Sequence, residues 1–255
     1  MRLRLLGFTL LILFFALAAI ILWPASALVP WVESGSNGHW RLSSTEGTVW
    51  NGSGMILSHS SDGSAWQIAQ NVRWQLHPGQ LWRGRLLIET SLDQGNALIT
   101  LTTDGVTLEQ IDAALPAPML LVLLPGALGR YGWAGMIHAR TNAFNCAWRS
   151  HSCSGEIELL WKDAAVAEVP GSKLGDYRFR LVGEGQAMRV DLSTLSGRLQ
   201  INGSGEIAAS GLRFKGEASA TGPDAAALDA MLRTLGRSSG TPGKYLIDYR
   251  EVATN

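Results

Sequence analysis

From about residue 40 onward, apolar and polar side chains alternate with a period of two, and this constrains the fold more than any other feature. Val72, Trp74 and Leu76 interleave with Arg73, Gln75 and His77, and Ile157, Leu159 and Trp161 keep the same rule. Tyr177, Phe179 and Leu181 alternate with Arg178 and Arg180; Met188, Val190 and Leu192 alternate with Arg189 and Asp191. Leu212 with Phe214, and Tyr245 with Ile247 and Tyr249, continue the pattern to the end. Successive side chains of a strand point to opposite faces, so each segment reads as a strand with one buried and one wetter face. Gly, Asn, Asp and Ser punctuate the segments, as in SDGS at 61–64, DQGN at 93–96 and GEGQ at 183–186. The expected fold class is mainly β: an antiparallel, twisted or curved meander sheet with one or two short helices. A charged fraction of 16%, with 29 Gly and 10 Trp, suits many short strands joined by tight turns.

Two segments interrupt the alternation. Residues 107–129 open on a cap-forming Thr107 before Glu109 and Gln110 and then carry Pro116, Pro118 and Pro125, which predicts a helical or irregular connector. Residues 223–236 predict a helix, with Pro223 at the start, Leu228, Met231, Leu232 and Leu235 at helical spacing, and Gly236 as a stop. Each interruption ends in Leu-Gly-Arg, at 128–130 and 235–237, shortly before a strand with Tyr131 or Tyr245. The expectation is two related halves, about 40–128 and 129–255.

The N-terminus is of another kind. Arg2 and Arg4 precede an unbroken apolar run from Leu5 to Trp23, ended by Pro24. About nineteen residues at roughly 1.5 Å each cover about 28 Å, the hydrocarbon thickness of a bilayer. No Lys or Arg follows until Arg41, so the positive-inside rule predicts cytoplasmic residues 1–4, a transmembrane signal anchor over 5–23, a linker over 24–39 and a periplasmic domain over 40–255. Ala25, Ser26 and Ala27 also fit a signal-peptide cleavage site, and that reading too puts the remainder outside the cytoplasm. A formal net charge of +0 gives nucleic acid no basic footprint.

No residues qualify as catalytic, cofactor-binding or metal-binding. His39, His59, His77, His138 and His151 are scattered, with no H-E-x-x-H spacing, and no G-x-S-x-G elbow appears. GSGEIA at 203–208 matches a dinucleotide fingerprint in letters only, because a strand-like IAASGLRF follows where a helix is needed. Asp93, Asp104 and Asp191 fall in turns or on polar strand faces, unpaired for acid–base work. Cys146 and Cys153, seven apart, predict a local disulfide in an oxidising compartment; a metal site with His151 would lack a fourth ligand. NGSG occurs at 51–54 and 202–205, and Asn51-Gly52 and Asn202-Gly203 are expected to turn hairpin corners. Trp31, Trp40, Trp50, Trp66, Trp74 and Trp82 crowd the first half, to be read as core filling or as the lining of a sugar or lipid groove.

Taken in order, the N-terminal anchor, GTVWNG at 47–52, WQLHPGQLWRG at 74–84, the proline-rich connector, the Cys pair and PDAAALDAMLRTLGR before GKYLIDY resemble the type II secretion system protein N family, also called general secretion pathway protein N. The resemblance implies a single-span inner-membrane protein with a periplasmic β-rich domain. It would be an accessory, non-enzymatic part of the machinery that exports folded proteins across the outer membrane. Its partners would be other secretion-system components, met by β-augmentation or sheet docking. The alternative from another class is a lipid-binding or lipid-transport groove of the AsmA-like type, which needs one sheet face left apolar and uncovered.

Overall fold

The period-two segments become strands that pair edge to edge in chain order. A computed structural model describes residues 2–59, 66–122, 132–166 and 173–222, then 225, 228–229, 232–233, 236–241 and 243–252. The strands are β1 (Trp40–Gly47), β2 (Asn51–His59), β3 (Trp66–His77), β4 (Arg85–Leu92), β5 (Gly95–Thr102), β6 (Gly105–Pro116) and β7 (Trp133–Ala147). They continue as β8 (Ser152–Val166), β9 (Lys173–Gly185), β10 (Ala187–Gly197), β11 (Leu199–Ala208), β12 (Gly211–Ala220), β13 (Arg237–Ser238) and β14 (Lys244–Val252). All join one 14-stranded sheet, sequential except that β14 sits between β12 and β13. Every pairing is antiparallel, as the alternation predicts.

Cross-strand partners share a face, so the register separates two surfaces. Leu115, Ile137, Trp161 and Tyr177 align on one face, as do Ala139, Leu159, Phe179 and Leu192. On the other lie Arg140, Glu158, Arg180, Asp191, Ser204, Lys215 and Asp248. There Arg180 grips both carboxylate oxygens of Glu156 at 2.6 and 2.7 Å, and Arg178 meets Glu158 at 3.0 Å. Such exposed pairs contribute little stability and instead keep this face wet. Three non-glycine residues at register shifts, Ser44, Gln110 and Asp163, take positive φ. An extra residue in one strand bends it and adds locally to the twist that sheets already have.

Helices cover parts of the apolar face: residues 25–35 run along β1 to β3 from the β1–β2 turn, and the helix after β6 and the C-terminal helix lie at the opposite end. A 3-10 turn (Ala25–Leu28) and α2 (Val29–Gly35) pack on Leu42, Val72 and Trp74, so the expected linker over 24–39 is largely helical and forms a core. α3 (Ala117–Leu121) follows β6, and the Trp40 indole N–H donates to the Met119 carbonyl at 3.0 Å, linking β1 to α3 across the curl. At 223–236 the described residues between 225 and 233 are helical, as expected; Met231 and Leu235 lie outside the described residues. Leu228 and Leu232, one turn apart, are fully buried against Ile137, Trp161, Tyr177 and Tyr245. Each such leucine contributes about 2 kcal/mol by leaving water. The other end of the sheet, called here the turn end, carries the β1–β2, β3–β4, β5–β6, β7–β8, β9–β10 and β11–β12 connections.

Several expectations are corrected. Residues 107–116 are not a connector but most of β6, paired on both sides, and the Thr107 hydroxyl donates to Asn145 Oδ1 rather than capping a helix. The bulge at Gln110 had broken the visible alternation. Asn51 and Gly52 open β2, and Asn202 and Gly203 lie inside β11; neither pair is a corner. The turns at DQGN and GEGQ are observed, whereas 61–64, Leu128 to Arg130 and Tyr131 lie outside the described residues. α1 runs Arg2–Ile21, but among the described residues no helix is long and apolar enough to cross a membrane.

Candidate functional site

The root of α1 is fixed to the turn end. Pro24 bridges to Thr48, the Val49 N–H donates to the Trp23 carbonyl at 2.8 Å, and the Trp50 indole N–H donates to the Ile20 carbonyl at 2.7 Å. Trp23 is followed by Pro24, which cannot continue a helix, so the chain breaks there and turns onto the sheet. Beyond this root, α1 shares no packed interface with any strand among the described residues. Its large apolar side chains from Phe8 to Leu22 are more than half exposed on every side. A helix apolar all round has no face suited to water.

Two neighbouring turns also expose large apolar groups. The 3-10 helix Pro78–Arg83 links β3 to β4 and carries Leu81 and Trp82; the β7–β8 turn carries Trp148. The Trp82 N–H donates to the Gly79 carbonyl at 3.0 Å and the Trp148 N–H to the Thr102 carbonyl at 3.1 Å. Of the six clustered tryptophans, Trp74 is core, Trp40, Trp50 and Trp66 are partly buried, and Trp31 and Trp82 are largely exposed. Sequence reasoning did not bring the turn-end residues together: Trp-Arg pairs occur at 40–41, 82–83 and 148–149, and only the fold sets the last two at the same end.

Between the helix-covered zones and the turn end, no described element packs over the apolar face. Ile88, Ile99 and Leu108 align there with Phe144, and Met188 aligns with Ile207 and Leu212. All but Phe144 are partly exposed, and none of these residues belongs to either core cluster.

The remaining candidates are structural in geometry. Cys146 and Cys153 are cross-strand partners joined by a disulfide that closes the β7–β8 hairpin. Gly52 lies beneath the Trp74 ring and Gly203 beneath Phe214; neither has positive φ. Asn202 accepts the Thr194 N–H at 3.0 Å. Asp93 receives the Asn71 N–H at 2.9 Å, which holds its carboxyl below the ordinary range. Tyr177 donates to the Leu199 carbonyl at 2.8 Å, and burial, reinforced by Asp176, pushes its hydroxyl well above its ordinary value. Asp229 accepts from the Tyr245 hydroxyl and pairs with Arg233 at 2.6 Å, clamping the C-terminal helix to β14; the tyrosine bond first and the arginine second lower its pKa. Among the described residues no group of three or more His, Cys, Asp or Glu could hold a metal. An open depression of about 330 Å³ on the polar face beside β13 is lined by Asn202, Glu217 and Lys244.

The family model for type II secretion system protein N matches residues 38–248, from just before β1 into β14. The chain belongs to this family. No curated protein and no solved structure matches it. As a protein N family member the chain is a type II secretion system component, of a family not known for enzymes. The match begins beyond α1 and takes in both turns of the exposed end together with the disulfide hairpin. Its partners in this family are other secretion-system components.

Proposed function

We infer that the chain is an accessory component of type II secretion, anchored in the inner membrane by α1 with its sheet in the periplasm, and acting through protein contacts in the export of folded proteins. One observation carries this reading: α1 presents apolar side chains on all sides from Phe8 to Leu22, yet its base is pinned by hydrogen bonds to the β1–β2 turn. Such a shaft avoids water by entering a bilayer, and its pinned base makes the sheet follow its orientation. The disulfide supports an oxidising compartment. β1 ends the sheet with an unpaired edge among the described residues, which suits strand addition by a partner. Deleting the gene in its own host should reduce release of exported proteins, with rescue by the full tagged chain and co-purification of secretion-system inner-membrane components. Unchanged release and no co-purifying component would contradict the reading.

The partly exposed apolar stretch through Ile88, Ile99, Leu108, Met188 and Ile207 favours one rival, a lipid groove of the AsmA-like type. Stoichiometric phospholipid retained by the purified full chain after detergent exchange, detected by native mass spectrometry, would support it.

A further inference from the structure

Two of the three Trp-Arg pairs, at 82–83 and 148–149, stand at the turn end, while Trp40-Arg41 opens β1 at the other. Trp82 and Arg83 finish the 3-10 helix between β3 and β4, and Trp148 and Arg149 open the turn between β7 and β8. The β5–β6 turn links them. A Cβ at Gly84 would lie 3.2 Å from Thr103 Cγ2, and the Trp148 backbone N–H donates to the Asp104 carbonyl at 2.9 Å.

An exposed indole normally gains from hydrating its N–H, but here both N–H groups already donate to backbone carbonyls. What faces outward is mainly hydrocarbon: Trp82 is 76% exposed, Trp148 50% and Leu81 46%. The Arg83 guanidinium lies 4.3 Å over the Trp82 ring, and Arg85 and Arg149 are exposed alongside. Over residues 78–85, 103–104 and 148–151 these three arginines face a single carboxylate, Asp104. Rings with satisfied polar edges, set among arginines, suit the boundary between lipid headgroups and acyl chains. The base of α1, with Trp23 half exposed, emerges at this same end.

We propose that the turn end is a bilayer seat: Leu81, Trp82 and Trp148 enter the headgroup boundary of the leaflet from which α1 emerges, and Arg83, Arg85 and Arg149 meet lipid phosphates. The proposal rests on the anchored reading of α1. A tether alone would leave the sheet free to tilt, whereas a seat fixes it upright, with α3 and the C-terminal helix away from the membrane and the β1 edge rising from it.

The test uses the full chain in vesicles of phosphatidylethanolamine and phosphatidylglycerol containing lipid brominated near the headgroup end of its acyl chains. Fluorescence quenching is compared among the native chain, Trp82→Phe, Trp148→Phe and, at the opposite end, Trp66→Phe. The first two substitutions replace exposed indoles by phenyl rings and leave the core intact. The quenched fraction should fall in Trp82→Phe and in Trp148→Phe and hold steady or rise in Trp66→Phe. A quenched fraction unchanged by both turn-end substitutions would overturn the seat and point to a protein partner for these rings. Alkaline carbonate washing of the same vesicles separates the two readings. Extraction of the chain overturns the anchor, while retention with unchanged quenching overturns the seat alone.

Discussion

Gly52 and Gly203 stand where neighbouring strands leave no room for a side chain. A Cβ at Gly52 would lie 2.7 Å from both the Glu46 carbonyl oxygen and Trp74 Cζ2; at Gly203 it would lie 2.4 Å from the Lys215 carbonyl oxygen and 2.7 Å from Phe214 Cζ. Gly52→Val and Gly203→Val should each destabilise the fold by about 1–3 kcal/mol, read as a lower melting temperature, whereas Gly79→Ala, with nothing within 4 Å, should melt as the native chain does. The Asn-Gly letters alone favour a corner, because they do not reveal an aromatic ring arriving from the next strand; only the register shows it. At Asp229 the pH dependence has a definite sign. The Tyr245 hydroxyl and Arg233 lower its folded pKa below the ordinary 3.8, so its contribution is complete above that value and is lost as pH falls through the folded pKa. Asp229→Asn should therefore melt below the native chain at pH 7, and the gap should narrow below about pH 4. A gap constant from pH 7 to pH 2 would contradict this.

At the scale of elements, local signals were legible and interrupted ones were not. The C-terminal helix could be read because its leucines repeat at helical spacing between a proline and a glycine, and Leu228 and Leu232 are the side chains it buries. β6 could not, because the bulge at Gln110 shifts the alternation mid-strand and the prolines after it suggest a connector. The site was legible only in part: the disulfide followed from spacing, but the turn end is assembled from three hairpins far apart in sequence. Leu232→Ala should cost about 2–5 kcal/mol, since the helix cannot collapse into the cavity while Asp229 and Arg233 hold it on β14. Replacing Cys146 and Cys153 together by Ala releases a short loop and should cost about 2–3 kcal/mol, measurable by urea denaturation of native and double-variant chains.

On the scale of the whole molecule, one curled sheet has α3 and the C-terminal helix at one end and exposed tryptophans, arginines and the base of α1 at the other. That polarity is set by strand register, which a sequence does not print, although the meander itself was visible in the alternation. It makes the direction of the sheet depend on α1. What matters most is whether α1 holds the sheet to the inner membrane on its periplasmic side. The decisive measurement follows a C-terminal tag on the full chain through protease treatment of spheroplasts and alkaline carbonate extraction of their membranes. The account predicts full-length chain retained in the carbonate-washed membranes, with the tag destroyed by protease in intact spheroplasts. Release of the chain into the soluble fraction, or a tag protected until the cells are lysed, would contradict it.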